Sequence, residues 1–198
     1  MESRLPGGRI KVCHVIPTLD QGGAEKQLCL LAGGMDSERF ETHVVVLTHS
    51  GLREAELRAR GIPVHAINKR GKFDFSALSR LTKLLRDLQP QIVHTWLFAA
   101  NCYGRYAAVK ARVPVIIAGE RCVDPWKSWW HGALDRYFLK HTRTIVTNTT
   151  AVVDFYARRG IGADRFTVIA NGVELPKQNR LSRAEVFARL KIDPTESW

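Results

Sequence analysis

Two adjacent glycines, Gly22 and Gly23, stand between an apolar run and a helical pattern. Without a Cβ they let backbone N–H groups approach a phosphate, and a helix N-terminus behind them favours negative charge. A plain strand-to-helix turn uses the same pair, so both readings stay open. The surroundings are neither the GxGxxG dinucleotide fingerprint nor a P-loop, because no GKS or GKT follows. His94 closes another apolar run, where an imidazole is either a hydrogen-bonded core group or a catalyst. Glu120 and Arg121 close a third, where charge must be partnered or useful. The planar Arg121 fork suits a phosphate or carboxylate, with an internal ion pair as the alternative.

Trp126, Trp129 and Trp130 lie among Lys127, His131, Arg136 and Lys140. Aromatics mixed with cations suit a membrane interface or a sugar-stacking surface, while a core helix with bulky side chains has the same composition. Other constellations fail. The histidines show no HxxxH or HExxH spacing, no GxSxG elbow occurs, and no pair of carboxylates for glycoside hydrolysis stands out.

These residues need elements to position them, and the periodicity supplies a regular alternation. Residues 11–16 read as a strand, followed by a helix whose apolar face is Ala24, Leu28, Leu31 and Ala32. Residues 42–48 read as a strand buried on both faces, 52–60 as a short helix ended by Gly61, and 64–67 as a brief strand. Phe75, Leu78, Leu81, Leu85 and Leu88 stripe a helix stopped at Pro90. Strands at 91–95, 115–118, 144–147 and 165–170 follow, separated by helices at about 99–112, near 129–140 and after Asn148. The 99–112 helix is rich in small residues, which permits close packing on a sheet. Continuous aliphatic strands between helices predict an α/β fold, a doubly wound, mostly parallel, Rossmann-like sheet with helices on both faces. Ligands of such sheets bind at the carboxyl ends of the strands. Those ends carry Gln21, Gly22 and Gly23, then His94 and Trp96, then Glu120 and Arg121, then Asn148, and last Asn171 and Gly172.

The 198 residues, 45% apolar and 25% charged, describe a globular chain with enough length to bury one core. No window reaches the roughly 18 continuous apolar residues of a membrane helix, and no signal-like h-region opens the chain. Cys13, Cys29, Cys102 and Cys122 form no CxxC pair, which fits thiols in a reducing cytoplasm and argues against zinc. The net charge of +11 invites a nucleic-acid reading, but the basic residues are scattered, with one tight cluster from Lys69 to Lys72. Anionic headgroups or phosphorylated substrates account for the charge without specific nucleic-acid binding. A polar amphipathic helix at 182–190 follows a completed sheet with little left to pack on, so a truncated, larger protein is expected.

In order and spacing, these motifs resemble the N-terminal domain of a GT-B glycosyltransferase of family four, the group-1 type of retaining nucleotide-sugar transferases. Val15-Ile-Pro-Thr-Leu, Gly22-Gly-Ala-Glu and Leu28-Cys-Leu-Leu-Ala resemble its first strand, glycine loop and first helix. Glu56 to Ile62 resembles its "L…GI.V" segment, and Gln89 to His94 its "RPDVVH". Ala100-Asn101 with Gly104-Arg105 fits the following helix. Ile145 to Thr149 is similar to "VVANS", and Val168 to Glu174 to "VIPNGVD". Arg121 stands where many members carry a sugar-contacting histidine, and a subset with polysaccharide-type acceptors has arginine there. Glu174 replaces the usual Asp.

The resemblance implies residues 10–171 as an acceptor-side domain behind a flexible 1–9 segment. Residues 172–198 would be a linker and the start of a donor-binding domain. Catalytic candidates are His94, Glu120 and Arg121. Gly22, Gly23, Asn171 and Gly172 would lie near the donor diphosphate, and Gln21, Trp96, Asn101 and Asn148 near the acceptor. A UDP- or GDP-sugar would be the donor substrate, with no tightly bound cofactor and no essential metal. Partners would be a glycan or lipid-linked acceptor, the second Rossmann-like domain and an anionic membrane surface, in the cytoplasm or peripherally at the inner face of the plasma membrane. A GT-B sugar-nucleotide epimerase and a non-enzymatic binding module are the rival readings.

Overall fold

The computed structural model describes residues 8–71, 73–123, 129–175 and 182–190. Trp126, Lys127 and Lys72 lie outside the described residues, as do residues 1–7 of the expected flexible segment and the side chain of Trp130. Strands β1 (Ile10–Ile16), β2 (Phe40–Val46), β3 (Val64–Ala66), β4 (Ile92–Trp96), β5 (Val115–Glu120), β6 (Thr144–Thr147) and β7 (Phe166–Val168) form one sheet. Its order is β3-β2-β1-β4-β5-β6-β7 and every pairing is parallel. The winding direction reverses between β1 and β4, so the helices divide between two faces. Helices α1 (Gly23–Gly34) and α2 (Arg53–Ala59) pack on Ile16, Val44, Val46 and Trp96. Helices α3 (Phe75–Leu88) and α4 (Leu97–Lys110) pack on Cys13, Val15, Val45 and Val93 of the opposite face. That side continues through α5 (Trp129–Leu139) and α6 (Thr150–Ala157), where Val152 and Tyr156 pack with Ala118 and Ile145.

Local chemistry sets the helix ends. The Asp74 carboxylate accepts the Ala77 N–H of α3 at 2.9 Å, and its hydrogen bonds to backbone and to Ser76 hold its pKa well below the carboxylate range. Gln89, with φ at 50°, turns the chain into the left-handed region just before Pro90. Gly104 lets α4 press on β4, since a Cβ there would come within 2.4 Å of Thr95 Cγ2. Toward the end of the described residues, α7 (Arg183–Leu190) is opened by a reciprocal Ser182–Glu185 capping box.

Three expectations need adjustment. On α1, Leu28 and Ala32 are buried as the stripe requires, but Leu31 is 43% exposed and Cys29 takes its place inside. Phe75 opens the stripe of α3 yet is 79% exposed, because the buried face begins at Ala77. The last strand is shorter than residues 165–170: a 3-10 turn occupies Ala163–Arg165, and Ile169 continues the pairing through a single N–H bond to the Thr147 carbonyl. Cys13 and Cys29 are buried, and burial pushes their thiols up to about 12 and about 11.

Candidate functional site

The carboxyl ends of β1, β4, β5, β6 and β7 form one edge of the sheet, where Trp96 and Glu120 close strands, Arg121 and Asn148 follow them, His94 lies two residues inside β4, and Asn101 stands in α4. Gly22 is the N-cap of α1 in extended conformation and offers no side-chain cap to the first-turn N–H groups. A Cβ on Gly22 would fall 2.1 Å from Oε2 of buried Glu25, which accepts from Thr18 Oγ1 at 3.1 Å. A Cβ on Gly23 would meet nothing within 4 Å. Packing therefore explains the bare Cα of Gly22 and not that of Gly23.

Parallel register sets His14 of β1 beside His94 of β4, and both face α1 with Trp96. The Trp96 Nε1–H donates to His14 Nδ1 at 3.3 Å. That bond makes Nδ1 the acceptor and leaves the proton of a neutral His14 ring on Nε2. Neither His14 Nε2 nor His94 Nε2 has a hydrogen-bond partner among the described residues. Burial lowers His14 to about 4 and His94 well below the ordinary range, where His14 and Arg121 add repulsion. Both rings are neutral at pH 7, able to exchange hydrogen bonds with a hydroxyl but not to act as fixed cations.

This burial has a pH consequence. Unfolded, the two histidines titrate near 6.5; folded, they titrate lower, so the unfolded chain binds more protons between those values and stability rises with pH there. Their contribution is complete above pH 6.5 and is lost as pH falls toward 4, amounting for His14 alone to about 3 kcal/mol. The melting temperature should fall between pH 6.5 and 4.5, with a shallower slope in His14→Gln. An unchanged slope would show that the ring is not buried in its neutral form.

On the opposite face, Asn101 is fully buried one turn into α4. Its Nδ2 donates to the Gly119 carbonyl at 3.0 Å and to Glu120 Oε1 at 2.9 Å, while its Oδ1 accepts from Thr95 Oγ1. The chain enters α4 directly from β4 through Leu97 at φ 66°, a left-handed conformation that costs a non-glycine residue about 1–2 kcal/mol. This turn sets Asn101 against the end of β5. Below it, the Arg105 guanidinium, also buried, donates to the Asn101 carbonyl at 2.8 Å and pairs with Asp135 of α5.

After β7 the chain crosses back over α1. Arg121 donates to Asn171 Oδ1, and its guanidinium carbon lies 5.3 Å from the Trp96 ring centre. Gln27 clamps the Gly172 peptide from both sides, donating to its carbonyl and accepting its N–H, each at 2.8 Å. Between this crossing and the sheet lies an open cavity of about 490 Å³, with Ile117 and Val146 on its floor and His94, Trp96 and Arg121 at one side. Leu31, the exposed member of the α1 stripe, lines the same cavity.

The structure thus gathers His94, Trp96, Arg121, Asn171 and Gly172 in one place and ties Asn101 to Glu120 in another. Gln21 is exposed in the loop before α1, and Asn148 is half-buried at the end of β6, its Oδ1 unpartnered among the described residues. Sequence reading missed His14, Gln27 and Asp135, and quoted Arg105 only as part of a helical motif. Strand register joins His14 to His94, and 145 residues separate Gln27 from Gly172, so no local pattern announces either contact. The described residues contain no group of three or more His, Cys, Asp or Glu able to hold a metal ion.

A family model described as Glycosyltransferase Family 4 matches residues 21–177. No curated protein matches the chain. Among solved structures, Anabaena Alr3699/HepE in complex with UDP and glucose superposes with a TM-score of 0.73 at 16% identity, over 92% of this chain and 50% of that one. A glycosyltransferase from Rickettsia africae ESF-5 gives 0.72 at 18% identity, over 96% and 51%. The UDP-GlcNAc 2-epimerase from Methanocaldococcus jannaschii gives 0.56 at 12% identity, over 82% and 46%. The chain spans about half the length of these structures, and likeness at such identities establishes the fold.

Proposed function

The chain belongs to glycosyltransferase family 4, and from that premise we propose that it forms the acceptor-side half of an enzyme that moves a sugar from a UDP- or GDP-sugar to a glycan or lipid-linked acceptor. The observation that carries this reading is the family match over residues 21–177, supported by a cavity that brings His94 and Arg121 beside the Asn171–Gly172 crossing. Residues 10–171 would be the acceptor-side domain, and Asn171 to Glu174 would open the crossing to a donor-binding half.

In this reading the first-turn N–H groups of α1 face the donor diphosphate beside Gly22 and Gly23. Neutral His94 exchanges a hydrogen bond with the reacting sugar or acceptor, and Arg121 offsets the charge of the departing diphosphate. Asn101 and Trp96 are too deeply buried to touch an acceptor; Asn101 positions Glu120, and Gln21 and Asn148 are left as acceptor contacts. Transfer proceeds with retained anomeric configuration and without an essential metal, driven by closure, orientation and electrostatics. The enzyme works at the cytoplasmic face of an anionic membrane, where the acceptor is presented.

Isothermal titration with UDP, GDP and their sugars tests the division of labour. Micromolar binding is expected for a chain extended by the donor half and not for these 198 residues alone. Equal affinity in the short chain would overturn it. With the extended chain, the product should be a glycosylated acceptor of the donor's anomeric configuration; release of a free, epimerised sugar nucleotide would identify an epimerase instead.

A further inference from the structure

Glu41, His43 and His65 are brought together by strand geometry, with no local spacing to announce them. Alternation along β2 puts Glu41 and His43 on the face that also carries Val45, and parallel pairing sets Val45 beside His65 of β3. Lys11 of β1, in register with Glu41, holds its ammonium 3.2 Å from Glu41 Oε1. His43 is buried, while His65 and Glu41 are half-buried.

The hydrogen bonds of this group fix its protons. His43 Nε2 lies 2.8 Å from Glu41 Oε1, and a carboxylate only accepts, so a neutral His43 carries its proton on Nε2. His43 Nδ1 is then a lone pair, and it faces His65 Nε2 at 3.1 Å. The two ring planes are 25° apart. Burial, with His43 and Arg58 nearby, lowers the His65 pKa, so that ring is neutral at pH 7. Left to itself, the pair is closed by the His65 Nε2–H donating to His43 Nδ1.

A proton is not the only cation that fits between two imidazoles so placed. Nitrogens bound at about 2.0–2.1 Å to one ion, in cis or tetrahedral positions, stand roughly 2.8–3.4 Å apart. The 3.1 Å separation is already in that range, so the strands need not move and only the half-buried His65 ring has to swing. A carboxylate accepting the far N–H of a ligating histidine fixes its tautomer and raises its basicity, and Glu41 stands in that relation to His43. The other histidine pair lacks this geometry: His14 Nδ1 is occupied by the Trp96 N–H, and no carboxylate backs either ring among the described residues.

We infer that His43 and His65 form a two-imidazole site for a transition-metal ion of the Zn²⁺ or Cu²⁺ class, supported by Glu41, that ties the edge strand β3 to β2. The ion takes the lone pairs of His43 Nδ1 and His65 Nε2, and neutral His65 keeps its proton by moving it to Nδ1. Water completes the coordination, reaching it past His65 and Glu41. Imidazole donors select Cu²⁺, Ni²⁺ and Zn²⁺ over Mg²⁺ and Ca²⁺. β3 has three residues and pairs with β2 alone, so a link between side chains adds to a short ladder. β1 stands between this pair of strands and β4, and the site owes nothing to the glycosyltransferase reading.

Calorimetric titration of the untagged chain with zinc and copper(II) chlorides, in a non-chelating buffer at neutral pH, tests the site. One equivalent of either ion should bind, Cu²⁺ more tightly than Zn²⁺, and magnesium chloride should give no heat of binding. His65→Gln, on a half-buried ring, should abolish the binding, and an unchanged melting temperature without metal identifies a folded variant. Glu41→Gln should weaken the affinity by about tenfold. His49→Gln, an exposed histidine paired with Asp20 on another loop, should leave it unchanged. Zn²⁺ should raise the melting temperature of the parent and not that of His65→Gln. Electron paramagnetic resonance of the copper-loaded chain should show two coordinated imidazole nitrogens. No saturable binding of either ion, equal binding in His65→Gln, or loss of binding in His49→Gln would overturn the inference.

Discussion

Gly23→Val should keep its melting temperature within about 2 °C of the parent while the full-length enzyme loses roughly a hundredfold or more in kcat/KM. Stability should hold because nothing lies within 4 Å of the new Cβ and Gly23 is not in the left-handed region. Helix propensity adds no cost either, since glycine is a poorer helix former than the valine that replaces it. Activity should fall because the isopropyl group would stand among the first-turn N–H groups proposed to face a diphosphate. Gly22→Val is the poorer test, since its Cβ would displace the buried Glu25 carboxylate and mix a folding effect with a binding one. Gly23→Ala should give an intermediate loss, as expected of steric exclusion. Turnover equal to the parent's in Gly23→Val, measured beside an unchanged melt, would remove this turn from the donor site.

Part of the site is legible in the sequence itself. Val44 to Leu47, four aliphatics in a row and all buried, mark a strand covered on both faces, and such strands separated by helices leave few topologies. Position at a strand's carboxyl end then selects Gly23, His94, Glu120 and Arg121. Periodicity is weaker where a helix has no complete partner surface. Leu31 fits the α1 stripe in number but faces the open cavity over Ile117 and Val146, and Phe75 fits the α3 stripe but lies on its exposed side. Contacts set by register or by chain crossing, such as His14 with Trp96 and Gln27 with Gly172, leave no local trace. Buried charge is equally hidden: Arg105 and Asp135 lie 30 residues apart on two helices, and only the packing of α4 on α5 brings them together.

That pair carries the largest expected effect on stability. Arg105→Met should cost about 3–5 kcal/mol, a fall of roughly 10 °C in melting temperature. The methionine fills much of the space beside Phe138, over which the guanidinium now lies at 5.1 Å, so most of the cost is electrostatic. It takes from the buried Asp135 carboxylate its ion pair with Arg105. Replacing both partners, Arg105→Met with Asp135→Leu, removes both buried charges together and should recover most of the loss. Recovery of stability should not bring full recovery of turnover. The double variant still lacks the Arg105 Nε bond to the Asn101 carbonyl, and Asn101 is what ties α4 to Gly119 and Glu120 at the end of β5. Chemical denaturation of the parent, both single variants and the double variant gives the coupling energy. A cost near zero for Arg105→Met would mean that the pair is solvated, and full activity in the double variant would mean that Asn101 needs no help in holding the carboxyl edge.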